Sequence, residues 1–190
     1  INARVSNPSY ASNYEDPLTA ALSRDQQENF DILLAAGADP NAKKDGELGL
    51  TPLIVAAQHL NWEALKILLN MGVEPDAIDK NGWNAIKKLA RDGNAKSIKF
   101  MRALLKAGCD PNKPDNETWC AIHNAGREDE LKIVKFLIEE AKVPVDQRLR
   151  GLHASVDFST PLDMSIADGL VEISEYLYQQ GASLSAGFDT

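Results

Sequence analysis

With 190 residues, 44% of them apolar and 25% charged, the chain holds enough hydrophobic material for a packed core. Its 28 acidic and 20 basic side chains give a formal charge of -8, which lacks the basic footprint that neutralises nucleic-acid phosphates or anionic headgroups and favours a neutral or basic partner. The longest apolar stretches, residues 32–36 and 53–57, fall far short of the roughly 18 residues that suggest a membrane span, so neither a nucleic-acid nor a membrane partner is expected.

In chain order, residues 1–15, with Tyr10 and Tyr14, read as an N-terminal tail or cap. One pattern then recurs: a short element opened by a capping residue, followed by an apolar run stopped by glycine. Asp16-Pro17-Leu18 opens a first unit over 16–45, whose run 30–34 precedes Gly37 and Ala38-Asp39-Pro40-Asn41. Thr51-Pro52-Leu53 opens a second over 46–79, with run 65–69 before Gly72 and Val73-Glu74-Pro75-Asp76. Asn84-Ala85-Ile86 opens a third over 80–115, with run 101–105 before Gly108 and Cys109-Asp110-Pro111-Asn112. Cys120-Ala121-Ile122 opens a fourth over 116–157, whose run 133–138 lacks the glycine. Thr160-Pro161-Leu162 opens a fifth over 158–190, with run 173–178 before Gly181.

Each signal has a mechanism. Asp, Thr or Asn caps a helix and Pro suits its first turn, whereas Gly supplies a left-handed stop and the following Pro prevents resumption. Polar Gln26, Gln27, Glu28 and Asn29 at one end, and Gln179 and Gln180 at the other, suit terminal units that shield an outer face from water.

These openings and stops resemble the ankyrin-repeat family, whose units run about 33 residues with a Thr-Pro-Leu-His opening. The resemblance covers roughly residues 14–186 and is best over 51–76 and 120–134, with His123 at the family's His position. It implies an all-α solenoid of five helix-turn-helix units with β-hairpin fingers. Thr19, Ile54, Lys87 and Asp163 replace the His elsewhere, so the family's local hydrogen-bond pattern is not expected in every repeat.

From Pro17 the openings recur at Pro52, Ala85, Ala121 and Pro161, spacings of 35, 33, 36 and 40. The excess falls in residues 43–49, in 93–97, in 141–144 and chiefly in a long finger over 147–158. Extra residues in solvent-facing loops cost little, so the first insertion reads as tolerated drift. The long finger reads as functional, because Leu149, Leu152, Val156 and Phe158 are too apolar for an idle loop.

In the family, binding positions lie on the finger tip, just before the opening and at the end of the first helix. Carried over, these are Leu50, Gln58 and His59, then Lys80, Asn81, Trp83, Arg91 and Asp92, then Asn116, Glu117, Trp119, Arg127 and Glu128. Arg148, Leu149, Arg150, Leu152 and Phe158 join them from the long finger. Trp83 and Trp119 are the strongest signals, because each precedes an X-Ala-Ile segment and the alignment sets them side by side as a platform. Trp62 occupies a helix-facing position and is assigned to packing.

His59, His123 and His153 accompany no nucleophile and carboxylate in a recognised motif, and no phosphate-binding loop occurs. Cys120-x-x-His123 resembles half a metal site without a second pair, and the family alignment accounts for both residues. No catalytic residue, cofactor or metal is expected. Cys109 and Cys120 are expected to stay unpaired, although an exported protein could join them.

The leading reading is a non-enzymatic module, monomeric when free, that binds a folded protein and inhibits a partner enzyme by occluding its active site, similar to inhibitor or self-protection ankyrin proteins of bacteria. A passive scaffold or host-directed adaptor is the alternative. The chain is expected to be periplasmic or otherwise exported if Ile1 follows a removed signal peptide, and cytoplasmic otherwise.

Overall fold

The computed structural model describes residues 16–43, 49–92, 95–149 and 160–184. Arg150, Leu152 and Phe158 of the long finger lie outside them, as does most of the first insertion. The described residues form ten helices, in chain order α1 (Pro17–Ser23), α2 (Gln27–Ala35), α3 (Pro52–Gln58), α4 (Trp62–Asn70), α5 (Ala85–Asp92), α6 (Ser97–Lys106), α7 (Ala121–Arg127), α8 (Leu131–Glu139), α9 (Pro161–Ala167) and α10 (Val171–Gln179).

The first helices begin where capping chemistry predicts. Leu18 N and Thr19 N both donate to Asp16 Oδ2, at 3.0 and 3.1 Å. Ile54 N donates to Thr51 Oγ1 at 3.3 Å. At α9 the cap is reciprocal: Asp163 N donates to Thr160 Oγ1 at 3.2 Å and Thr160 N donates to Asp163 Oδ2 at 3.0 Å, so two otherwise orphaned amides are satisfied.

The described residues fall into two compact units, one comprising those up to Ala85 together with Phe100–Cys109, the other those of Ile86–Lys99 and those from Asp110 onward. In the first, α1 packs on α2 and α3, and α3 packs on α4. Its core holds Leu18, Leu22, Phe30, Ile54, Leu65, Leu68, Met101 and Leu104, and Trp62 packs edge-to-face on Phe100 with centroids 5.3 Å apart. In the second, α7 packs on α8 and α9, and α10 packs on α8 and α9, over Ile122, Ile133, Val134, Leu137, Ile173 and Leu177. Tyr176 adds a polar tie there: its hydroxyl donates to Glu139 Oε1 at 2.9 Å, and Lys135 Nζ lies 5.1 Å from its ring centroid.

No strand occurs among the described residues, so the expected β-hairpin fingers are not seen as ladders. Two finger turns are closed by a side-chain carboxylate together with two backbone hydrogen bonds each.

Four second helices stop as their glycines predict. Gly37, Gly72, Gly108 and Gly181 take φ of 84°, 73°, 96° and 87°, and a Cβ on any of them would meet nothing within 4 Å, so conformation rather than space demands glycine. α8 stops without one. Val143 N reaches back to Leu137 O at 2.9 Å, and Lys142 takes the left-handed conformation at φ 59°. Its exposed ammonium donates to Glu139 O at 2.6 Å, capping a free carbonyl of the helix end. A left-handed L-residue costs about 1–2 kcal/mol, and relief by glycine is partly offset by backbone entropy. Lys142→Gly is therefore expected to raise stability by about 0.5–1 kcal/mol in urea unfolding. An unchanged or lower midpoint would show that the lysine cap outweighs the strain.

Candidate functional site: two aspartate-closed finger turns

Two five-residue turns precede α5 and α7 and carry the two tryptophans. In the first, Asp79 Oδ1 accepts from Asn81 N at 2.8 Å and from Trp83 N at 2.9 Å, while Gly82 N donates to Asp79 O and Asp79 N to Trp83 O, both at 3.0 Å. In the second, Asp115 Oδ1 accepts from Glu117 N and Trp119 N, both at 2.9 Å; Thr118 N donates to Asp115 O at 3.0 Å and Asp115 N to Trp119 O at 2.9 Å. A short acceptor side chain that bonds amides two and four residues on is the chemistry for which Asp favours turns. The fourth residue must adopt positive φ: Gly82 does so at 81°, and Thr118 at 72°.

Beneath the second turn lies a buried polar group. Lys87 of α5 directs its ammonium to Asp115 Oδ2 and to the Trp119 carbonyl oxygen. Burial pushes its pKa below the ordinary lysine value, opposed by the hydrogen bond and charge of Asp115. One repeat on, His123 is fully buried; Cys120 N donates to its Nδ1 at 3.1 Å, and its Nε2 lies 2.8 Å from the Gln147 carbonyl oxygen. With Nδ1 accepting, Nε2 carries the proton and donates to Gln147 O. Burial chiefly, with the Lys87 ammonium adding to it, lowers the imidazole to about 4.

The family's local pattern does not hold in every repeat, yet two of the replacements keep part of it. Asp163 accepts from the amide three residues back, as His123 does, and Lys87 makes the reach to the next finger that His123 also makes. Ile54 can do neither.

The turns bring several expected site residues together. Lys80 and Asn81 are exposed on the first, beside half-buried Trp83. Asn116 and Glu117 are exposed on the second beside half-buried Trp119, whose ring carries the Arg127 guanidinium 5.3 Å from its centroid and His123 edge-on at 6.0 Å. Arg127 ends α7, and exposed Glu128 follows it. Gln58 and exposed His59 end α3. Arg91 and Asp92 pair with each other at 2.5 Å and 2.9 Å. Arg148 is exposed, but Leu50 and Leu149 are buried, at 9% and 6% exposure.

Sequence reasoning passed over Asp79 and Asp115, and met Lys87 only as a replacement of the family's His. The signal was present: Asp-x-x-x-Trp-x-Ala-Ile stands at 79–86 and again at 115–122. Cys109 and Cys120 are buried thiols not joined in a disulfide, with Cys109 Sγ donating to Asp76 Oδ1 at 3.4 Å and Cys120 Sγ to Asn112 O at 3.2 Å. Among the described residues, no group of three or more His, Cys, Asp or Glu is placed to hold a metal, and no helix is long and apolar enough to cross a membrane.

His123 gives this region a pH dependence. Unfolded, its imidazole titrates near 6.5; folded, at about 4. Between those values the unfolded chain takes up a proton that the folded chain refuses, so this contribution is complete above pH 6.5 and is lost as pH falls toward 4. At about 1.4 kcal/mol per pKa unit, the loss by pH 4 amounts to about 3 kcal/mol. Urea unfolding at pH 7 and pH 4 is expected to show a drop smaller by about that amount in His123→Gln, the carboxylates titrating alike in both proteins. Equal drops would refute it.

The family described as Ankyrin repeats (3 copies) matches residues 18–115 and again residues 89–187. The matched repeats are protein-interaction modules, generally non-enzymatic, and indicate no catalytic family. With this match covering most of the chain, and short helices following one another through the described residues, the protein belongs to the ankyrin-repeat family.

Proposed function

We propose that this ankyrin-repeat chain is a non-enzymatic module, monomeric when free, that grips one folded partner protein through its finger turns and the ends of its first helices. Trp119 carries this reading. A large ring is held half-exposed on a turn that six hydrogen bonds or ion-pair contacts define, with the Arg127 guanidinium over it. Tryptophan and arginine are the residue types that dominate binding energy when a partner encloses them. Trp83, on a turn of the same construction, is the second anchor, and Lys80, Asn81, Asn116, Glu117 and Glu128 form polar rims. Gln58, His59, Arg91, Asp92 and Arg148 extend the surface. Leu50 and Leu149 belong to packing, because burial leaves them almost nothing to offer a partner.

The finer reading is inhibition of a partner enzyme. The long finger over 147–158, apolar at Leu152 and Phe158, supports it as an element of a length suited to entering a cleft. The charge of -8 favours a neutral or basic target.

Capture of the partner from cell extract, followed by calorimetric titration, tests the surface. Trp119→Ala is expected to weaken binding by about 30-fold, the effect of losing a hot spot of roughly 2 kcal/mol, and Trp83→Ala with it by more. Affinity unchanged in the double variant would remove the surface. Partner activity lost in the complex supports inhibition, whereas activity retained identifies a scaffold or adaptor.

A further inference from the structure

A buried lysine needs a reason in this fold. The Lys87 side chain is 1% exposed and faces an Asp115 side chain 4% exposed. Replacing a buried ion pair with apolar packing is commonly neutral or stabilising, so the pair is poorly explained by stability alone. The preceding repeat shows the cheaper solution, for Ile54 fills the register position of Lys87 and is fully buried.

The two turns differ where Lys87 acts. Both close on an Asp Oδ1, but the second must also hold Thr118 at φ 72°, a conformation strained for a β-branched residue, where the first has Gly82. Asp115 divides its carboxylate: Oδ1 takes the Glu117 and Trp119 amides, and Oδ2 takes Lys87. The same ammonium takes the Trp119 carbonyl. Both backbone polar groups of Trp119 are thus tied to one lysine, its carbonyl directly and its amide through Asp115.

We propose that Lys87 is a positioning residue that holds the Asp115–Trp119 turn closed in the free protein, presenting Trp119 to the partner already ordered. The proposal rests on the reading of Trp119 as a partner anchor. An anchor ordered before binding loses less freedom on association and holds its partner longer. Lys87 itself touches no partner.

The test uses the full chain without partner. Amide hydrogen exchange is measured by NMR, and Trp119 is observed by fluorine NMR with 5-fluorotryptophan. In Lys87→Met, the Glu117 and Trp119 amides are expected to exchange at least tenfold faster, while Ile173 and Leu177 of α10 keep their rates and the Trp119 resonance shifts or broadens. Lys87→Arg, which keeps the donors, is expected to restore slow exchange and the original resonance. Unchanged finger amides, or acceleration equal to that of α10, overturn the proposal, the latter marking Lys87 as a residue of general stability. If Lys87→Met does not fold, Lys87→Met with Asp115→Asn removes the unpaired charge and keeps the Oδ1 acceptor. Fast finger exchange on that folded background supports the proposal, and slow exchange overturns it. A finger loosened by Lys87→Met, in a protein whose partner affinity Trp119→Ala leaves unchanged, overturns the anchor reading while the tether itself stands.

Discussion

The constraint from which this structure follows is that no helix among the described residues can stand alone. They run from seven to ten residues, below the roughly 12–15 at which even good helix formers persist in water. Two consequences follow. Each helix needs its ends satisfied, because in two turns most backbone groups are terminal, and the Asp16, Thr51 and Thr160 caps meet that need. Each pair also needs neighbours, because its apolar face is covered only when α1 meets α3 or α7 meets α9.

Apolar packing alone would let one repeat slide on the next, and polar links at the repeat period oppose this. Glu74 N donates to Asn41 Oδ1 at 3.0 Å, 33 residues away, Cys109 Sγ reaches Asp76 across the same separation, and Ser183 N donates to Asp146 Oδ1 at 2.9 Å across 37. The fourth residue of an opening adds deeper ties in His123 and Lys87. Buried groups of this kind add little net stability but are costly to misplace, because a shifted register would strand a charge or an imidazole without a partner. They define the arrangement more than they strengthen it.

Much of this was legible in the sequence where a residue has one physical use. Proline after Asp or Thr, and glycine after an apolar run, each carry a backbone requirement, and among the described residues α1, α3 and α9 start at such a proline and α2, α4, α6 and α10 stop at such a glycine. The α8 stop is the instructive departure, since Lys142 accepts the left-handed conformation that glycine takes elsewhere and fills a carbonyl with its own ammonium. Residues with two uses were harder. An apolar Leu50 or Leu149 on a finger is an anchor or a packing residue by sequence alone, and only burial separates the two. Lys87 looked like the loss of a hydrogen-bonding position, because a lysine is ordinarily solvated; its acceptor lies 28 residues on, beyond what local pattern shows. The hairpin fingers are not seen as ladders among the described residues, where a carboxylate that accepts two amides reinforces each of two finger turns, a pattern visible only when the two copies are set together.

The same separation of roles bears on how such a surface can acquire a partner. Asp115 and Lys87 act on the backbone of the second turn, while Asn116, Glu117 and the end of α7 present side chains that are exposed. Exposed substitutions that leave backbone geometry intact usually change stability by less than about 0.5 kcal/mol, whereas in a partner's interface the same positions can be worth several times that. Trp119 couples the two layers. Its amide and carbonyl belong to the frame while its ring is half-exposed, so the turn cannot loosen without moving the ring. A strained Thr118 beside it is tolerable because the frame over-determines its conformation, and a ring ordered in this way loses less freedom in any contact it makes than one on a loose turn.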